Sequence, residues 1–128
     1  MDTTEQYVKM CTKAVEVQKD RSFIYGDLWS DDGCRVLLVT RRHFPVANCI
    51  WLPRQDQLQA MMGDTIDADR NVSFALIVDF YDWVQRADYM AGEQEWHHWS
   101  MEQLWLAFVM FTLYHKKVWD GENWVKES

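Results

Sequence analysis

The stretch WHHWSMEQLWLAFVMFTLYHKKVWDGENWV, residues 96–125, holds five of the chain's eight tryptophans around one apolar run. Ser100 precedes that run as a predicted N-cap, with Gln103 at the capping-box position. The run itself, residues 104–113, has about half the length that a bilayer span needs. It therefore predicts a buried helix. An Asp120-Gly121 turn between hydrophobic pairs then predicts a small hairpin that returns Trp124 to the domain.

The first residues of the chain predict an N-terminal helix. Asp2 or Thr3 is the expected cap, with Glu5 or Gln6 three residues later in a capping box. Apolar residues follow at spacings of three and four, as is typical of a helix with one buried face. The predicted inner face consists of Tyr7, Met10, Cys11, Ala14, Val15 and Gln18.

A strand pattern begins near residue 22. Residues 23–25 and 28–29 and then residues 35–40 flank a turn cluster at 30–33, which predicts two antiparallel strands. Residues 48–51 are the predicted third strand. The segment before it contains Pro45, which cannot donate to a central ladder, so this segment is expected to be a connection.

Two further helices are expected before residue 100. The first is short, with Pro53 in its first turn and Asp56 near its positive end. The second runs from Val72 to about Tyr89 behind Asn71 as cap, and it is apolar nearly all round. We expect this long helix to be central in the core, with contact to a partner as the alternative.

These elements predict one α+β domain over residues 1–128, with an N-terminal helix, a small antiparallel sheet of about three strands, and then three helices. The C-terminal half is mostly helical. At 48% hydrophobic residues, a chain of this length can bury a core without disulfides or metals. Three cysteines without a CxxC pair favour reduced thiols, and an acidic start is not that of a signal peptide. A cytoplasmic protein without membrane association is expected.

The charge pattern disfavours several function classes. The formal net charge is −7 and the basic residues are scattered, whereas nucleic-acid binding needs a concentrated basic surface. Isolated glycines cannot build a phosphate-binding loop, and no GxSxG turn is present. Asp79 and Asp82 share a helix face, where an ion pair with Arg86 is favoured over acid–base chemistry. No cofactor is predicted.

Several blocks of the sequence carry a resemblance. They are YVKMC with Val17-Gln18 near the N-terminus, IWLPRQDQLQ at residues 50–59, MEQLWLAFVM at 101–110 and WDGENWV at 119–125. In this order they resemble a group of short phage and prophage proteins of Gram-positive bacteria. The resemblance implies a genomic context in a bacterial host, and it brings no activity to these positions.

A metal site is one alternative for the function. Glu93 and Glu95 precede His97 and His98, and His115 follows on the next helix, so nitrogen and oxygen donors could converge on one ion. Adjacent histidines project in different directions, and neither an HExxH nor an HxH spacing is present. The pattern therefore favours loop histidines over a metal-assisted enzyme.

The preferred hypothesis is a non-enzymatic interaction protein that binds a host or phage protein through exposed aromatic residues. Tryptophan is enriched at binding hot spots, although burial in the core is the competing interpretation. A two-fold homodimer is also an expectation. A third hypothesis, an acidic DNA mimic, predicts a continuous acidic face. The candidate anchors are Trp96, Trp99, Trp119 and Trp124.

Overall fold

The computed structural model describes residues 1–19, 26–31, 35–40, 49–63, 72–91, 99–114 and 117–126. In chain order they form α1 (Glu5–Lys13), α2 (Val15–Lys19), β1 (Leu28–Ser30), β2 (Val36–Leu38), β3 (Ile50–Leu52), α3 (Gln55–Met61), α4 (Val72–Ala91), α5 (Met101–Leu113), β4 (Lys117–Trp119) and β5 (Trp124–Lys126). The predicted α+β class, with a mostly helical C-terminal half, is confirmed. Within these ranges, no helix combines the length and apolar character needed to cross a membrane.

The N-cap of α1 differs from the prediction. Thr4 takes this position, not Asp2 or Thr3, and its hydroxyl accepts a hydrogen bond from the Tyr7 N–H at 3.3 Å. Asp2 lies two residues before the cap, where its carboxylate accepts hydrogen bonds from the Thr4 N–H at 2.8 Å and the Thr4 hydroxyl at 2.6 Å. The cap is therefore itself held by a preceding acid.

The predicted single N-terminal helix is broken at Ala14, where the backbone leaves the helical region with φ −84° and ψ 68°. Tyr7 and Met10 are buried as predicted, but beyond the break Val17 is buried, whereas Val15 is 53% exposed. The prediction that Val15 belongs to the inner face is therefore wrong, whereas the buried positions keep a spacing of three and four residues across the break.

The sheet has the order β2-β1-β3 with antiparallel pairing throughout, as the strand pattern predicted. Trp29 of β1 lies opposite Leu37 on one side and Trp51 on the other, so these three residues share one face. Leu28 and Leu52 lie opposite each other and pack into the main core with the helices. Trp29 and Trp51 are also buried, so the sheet is covered on both faces.

The outer edge of β3 is closed by a side chain from α2. The Trp51 N–H donates to Gln18 Oε1 and Gln18 Nε2 donates to the Trp51 carbonyl, each at 2.8 Å. A primary amide can supply one acceptor and one donor in this way, as a neighbouring strand would. Gln18 therefore occupies the place of a fourth strand at this position and blocks further pairing there.

The start of α3 is tied to the rest of the core by its own flanking residues. Arg54 is the N-cap and Gln55 is the first helical residue. Pro53 therefore lies two positions before the first turn, and the prediction that it lies within that turn is wrong. The Arg54 N–H donates to Gln57 Oε1 at 2.8 Å. The Pro53 carbonyl accepts a hydrogen bond from the buried Tyr7 hydroxyl at 2.5 Å, which joins α1 to this turn.

A buried carboxylate also joins β1 to α3. Asp27 is fully buried, and its Oδ1 accepts hydrogen bonds from Arg54 Nη1 and Gln57 Nε2, each at 2.9 Å. Charged groups are kept inside proteins only when they are paired and hydrogen-bonded, as here. The contact fixes the turn between β3 and α3 against the beginning of β1.

The centre of the molecule is α5. Six consecutive residues, Trp105 to Met110, are buried, which confirms the buried helix predicted for this run. Ser100 is the N-cap as predicted, and its hydroxyl accepts from the Gln103 N–H at 3.1 Å. The Gln103 side chain, however, donates to Asp2 at 2.8 Å and does not complete a capping box.

The long helix α4 lies at the side of this core, not in its centre, contrary to the expectation. One side of it packs on α5, where the Phe80 ring stacks on Trp105 with centroids 4.1 Å apart and an interplanar angle of 6°. Trp83 is buried on the same side and contacts Phe108 with centroids 5.5 Å apart. Because α5 already fills the centre, only one face of α4 is buried by described residues.

Candidate functional site

Those predicted anchor tryptophans that the structure describes pack against the core. Trp119 is 3% exposed, and its ring lies 5.1 Å from that of Trp124. Trp124 is half-buried, and its indole N–H donates to the Met10 carbonyl of α1 at 3.0 Å. Trp99 is half-buried against the core, and Trp96 lies outside the described residues. Trp119 is therefore corrected from a surface anchor to a core residue.

The hairpin that carries this pair is the one that the Asp-Gly turn predicted. Asp120 Oδ1 accepts hydrogen bonds from the Glu122 N–H at 2.8 Å and the Asn123 N–H at 2.7 Å. Gly121 has φ +105°, a conformation that favours glycine. Lys9 Nζ of α1 lies 2.5 Å from Glu122 Oε2 and forms an ion pair with it. The turn shapes the hairpin, and the long-range contacts of Glu122 and Trp124 with α1 place Trp124 over that helix.

The metal candidates cannot be assembled from the described residues. Glu93, Glu95, His97, His98 and His115 all lie outside the described ranges. Within those ranges, the structure contains no group of three or more potential His, Cys, Asp or Glu ligands that could hold an ion. The hypothesis of a metal site in this segment stays a prediction from the sequence.

The positions of Cys11, Asp79 and Asp82 disfavour nucleophilic catalysis by a thiol and acid–base catalysis by paired carboxylates. Cys11 is fully buried, and burial raises the pKa of its thiol far above the ordinary value, so the nucleophilic thiolate is suppressed. Asp82 is exposed and Asp79 half-buried, so these two do not form a buried carboxylate pair. Neither arrangement resembles an activated acid, base or nucleophile.

Two acidic residues at the described surface are paired with arginine. Arg35 lies 3.3 Å from Asp31, and Arg54 lies 3.1 Å from the exposed Asp56. Such interleaved pairs do not favour the continuous acidic face that a DNA mimic needs.

Exposed apolar area is found instead on the outer side of α4. Ile77 is 62% exposed and Tyr81 is 59% exposed, and a spacing of four places them next to each other on the helix. The exposed Gln85 follows one turn later, and its Nε2 donates to the Tyr81 hydroxyl at 2.8 Å. Ile77, Tyr81, Asp82 and Gln85 are called the α4 surface below. It lies opposite the side that stacks on α5.

The sequence contained a signal for this surface. A helix that is apolar nearly all round has more apolar residues than one buried face can hold, and partner contact was the stated alternative. The pattern alone could not show which side faces solvent, because that depends on where α5 packs. Ile77 and Tyr81 were therefore not singled out.

Comparison with protein-family models gives no match, and comparisons with curated proteins and with solved structures give none either.

Proposed function

We propose that the protein is a non-enzymatic protein-interaction module that binds its partner through the α4 surface. The observation that carries the proposal is the adjacent pair Ile77 and Tyr81, both more than half exposed on a helix whose other side is in the core. Single exposed apolar residues are ordinary on any protein surface. Ile77 and Tyr81 lie one helical turn apart, so their exposed side chains form one apolar patch, and such patches mark interaction sites.

The rigidity of α4 supports this use. Phe80 and Trp83 hold the helix to Trp105 and Phe108 through a continuous set of ring contacts. A tyrosine on such a support presents a large contact area at little cost in conformational entropy, and tyrosine is enriched at hot spots. The anchor residues are therefore pre-positioned before a partner arrives.

Charge indicates the chemistry of the partner. The exposed Asp82 lies beside the apolar pair, and the whole chain carries a formal net charge of −7. A partner with an apolar patch and basic residues at its rim would approach favourably, whereas an acidic partner would be repelled. From the resemblance to phage and prophage proteins, we propose a host or phage protein in the bacterial cytoplasm as that partner.

The test is capture from a Gram-positive host lysate that depends on the α4 surface. Immobilised wild-type protein is compared with the double variant Ile77→Ser/Tyr81→Ser, with nuclease added throughout. The matched control is Val15→Ser/Val125→Ser, which removes two exposed apolar side chains elsewhere. Substitutions at exposed positions cost little stability, about 0.5 kcal/mol or less each, so all three proteins should fold.

The proposal expects one dominant captured protein that the α4 variant loses and the control keeps. Raised salt should weaken its capture, because the rim contacts are electrostatic. Capture that is equal for all three proteins, or that both double variants lose, would contradict the assignment to α4.

A further inference from the structure

The two edge strands of the three-stranded sheet differ in how their outward peptide groups are hydrogen-bonded. At the β3 edge, the amide of Gln18 takes both peptide groups of Trp51, as described above. The other edge is β2, a strand of three residues with increasing exposure toward Leu38, which is 49% exposed. Only one of the two edges is thus closed by a described side chain.

The direction of the β2 peptide groups follows from the pairing. In an antiparallel ladder, successive residues direct their N–H and C=O groups to opposite sides. The peptide groups of Trp51 bond Gln18 and so point away from β1. The peptide groups of Trp29, which lies opposite Trp51, therefore point toward β2, where they face Leu37. The groups of Val36 and Leu38 must then point outward from the sheet.

The backbone hydrogen bonds of Val39 agree with this alternation of peptide-group directions. The Val39 N–H donates to the Asp27 carbonyl at 2.8 Å, and the Gly26 N–H donates to the Val39 carbonyl at 3.1 Å. The peptide groups of Val39, like those of Leu37, therefore point toward β1. No described residue donates to or accepts from the outward groups of Val36 and Leu38.

We propose that β2 is the edge at which two copies of this chain pair, antiparallel, across a two-fold axis at Leu37. Donors and acceptors alternating at strand spacing are complementary to the backbone of another strand. With the axis at Leu37, Val36 lies opposite Leu38 of the partner subunit, and Leu38 lies opposite Val36 of the partner subunit. Each of these two residue pairs exchanges two hydrogen bonds, which makes four in all. The same pairing covers the exposed Leu38 side chain on both copies.

The charges near the edge are compatible with this two-fold axis. Arg35 lies opposite Val39 of the partner subunit, so the two Arg35 residues are separated along the strand by four residues, about 13 Å. That distance exceeds the Debye length of about 8 Å at physiological salt. No like charges therefore lie opposite each other in the paired strands.

The predicted dimer is weak. A ladder of three residues on each side buries less than the roughly 1,200 Å² of a standard interface, so a dissociation constant on the order of micromolar or weaker is expected. The inference does not rest on the proposed function, because it uses a different part of the molecule.

The first experiment is sedimentation equilibrium of the full chain over a wide concentration range. Wild-type protein is expected to show a mass that rises toward the dimer, and Leu38→Pro is expected to weaken association at least tenfold. Proline removes the outward N–H of residue 38 and leaves the inward hydrogen bonds of Leu37 and Val39 in place. Circular dichroism and thermal melting confirm that the variant is folded.

The second experiment locates the axis. Facing a second copy, Leu37 would form a non-hydrogen-bonded pair with Cα atoms about 4.5 Å apart, a separation that a disulfide can bridge. In a Cys34→Ser background, Leu37→Cys should therefore form a disulfide-linked dimer on mild oxidation. Arg35→Cys is the matched control and should stay monomeric, because the two positions are too far apart.

A concentration-independent monomer mass for the wild type would overturn the proposal, and so would equal cross-linking of Leu37→Cys and Arg35→Cys. Adding Ile77→Ser/Tyr81→Ser to the Leu37→Cys, Cys34→Ser protein should leave its cross-linking unchanged. Loss of partner capture and loss of dimerisation can therefore be distinguished.

Discussion

At the scale of single residues, a few buried polar side chains connect segments that are far apart in the sequence. The Tyr7 hydroxyl is fully buried and bonds the Pro53 carbonyl, 46 positions away. Burial is the largest cause of the raised pKa of Tyr7, and its contact with Cys11 adds to it, so the hydroxyl stays protonated and donates over the physiological range. Its loss would leave a buried carbonyl without this donor.

Tyr7→Phe is therefore expected to lower the free energy of unfolding by about 1–3 kcal/mol, the usual cost of an unsatisfied buried group. Urea denaturation followed by tryptophan fluorescence measures it. Tyr81→Phe is the matched control, since Tyr81 is exposed and its hydroxyl bonds only the exposed Gln85 in the described structure; a change of about 0.5 kcal/mol or less is expected. Equal losses in the two variants would show that the Pro53 contact contributes nothing.

At the scale of elements, three side-chain contacts tie elements to their neighbours. Gln18 completes the β3 edge, and Trp124 ties the β4–β5 hairpin to α1 through the Met10 carbonyl. The stacked pair Phe80 and Trp105 ties α4 to α5. Each strand has only three residues, so these contacts add to the stability that the short ladders supply.

Gln18→Ala should open the β3 edge. We expect a loss of about 1–3 kcal/mol in the free energy of unfolding, because both peptide groups of Trp51 lose their partner. Amide hydrogen exchange gives the more specific measurement, since the Trp51 N–H should exchange faster while buried amides of α5 change only with global stability. Gln59→Ala, a half-buried glutamine on α3, should leave Trp51 exchange unchanged; acceleration in both would contradict the edge role of Gln18.

At the scale of the whole molecule, the two helix N-termini at opposite ends of the chain meet at Asp2. Its carboxylate is 8% exposed and accepts hydrogen bonds from Ser100 and Gln103 of the last helix as well as from Thr4. Burial by itself raises the pKa of Asp2, but the hydrogen bonds from Ser100, Thr4 and Gln103 outweigh it and hold the pKa below the ordinary value. The ionised form is thus favoured by folding.

A lowered folded-state pKa has a defined consequence for acid stability. The folded protein binds this proton more weakly than the unfolded chain, so the contribution of Asp2 is complete above its ordinary pKa of 3.8 and is lost as pH falls through the lower folded value. Asp2→Asn should be less stable than wild type by about 1–3 kcal/mol at pH 7, with a gap that shrinks below about pH 4.

Urea titrations at pH 7 and near pH 3 check this expectation. Tyr7→Phe provides the comparison, because its hydroxyl does not ionise in this range and its deficit should be the same at both pH values. A gap for Asp2→Asn that is independent of pH would show that the charge of Asp2 does not stabilise the fold.

The candidate surface shows how far periodicity can lead. The apolar pattern of α4 predicted the helix and allowed either a central place or a partner contact, but exposure of Ile77 and Tyr81 follows only from the packing of α4 beside α5. In the same way, tryptophan content suggested anchors, whereas Trp119 became a core residue once the hairpin folded over α1. Aromatic residues suit both cores and interfaces, so composition does not separate the two.

Features that depend on neighbours a few residues away could be predicted from the amino-acid sequence. Ser100 as an N-cap, the buried run of α5 and the Asp120-Gly121 hairpin belong to this class, because caps, helical periods and tight turns are decided within one or two turns of backbone. Tertiary structure alone decided that Asp2 binds Gln103, that Gln18 closes β3 and that Ala14 breaks the first helix. The first two contacts join residues 101 and 33 positions apart. No local pattern encodes such distances, since they arise only when the elements pack.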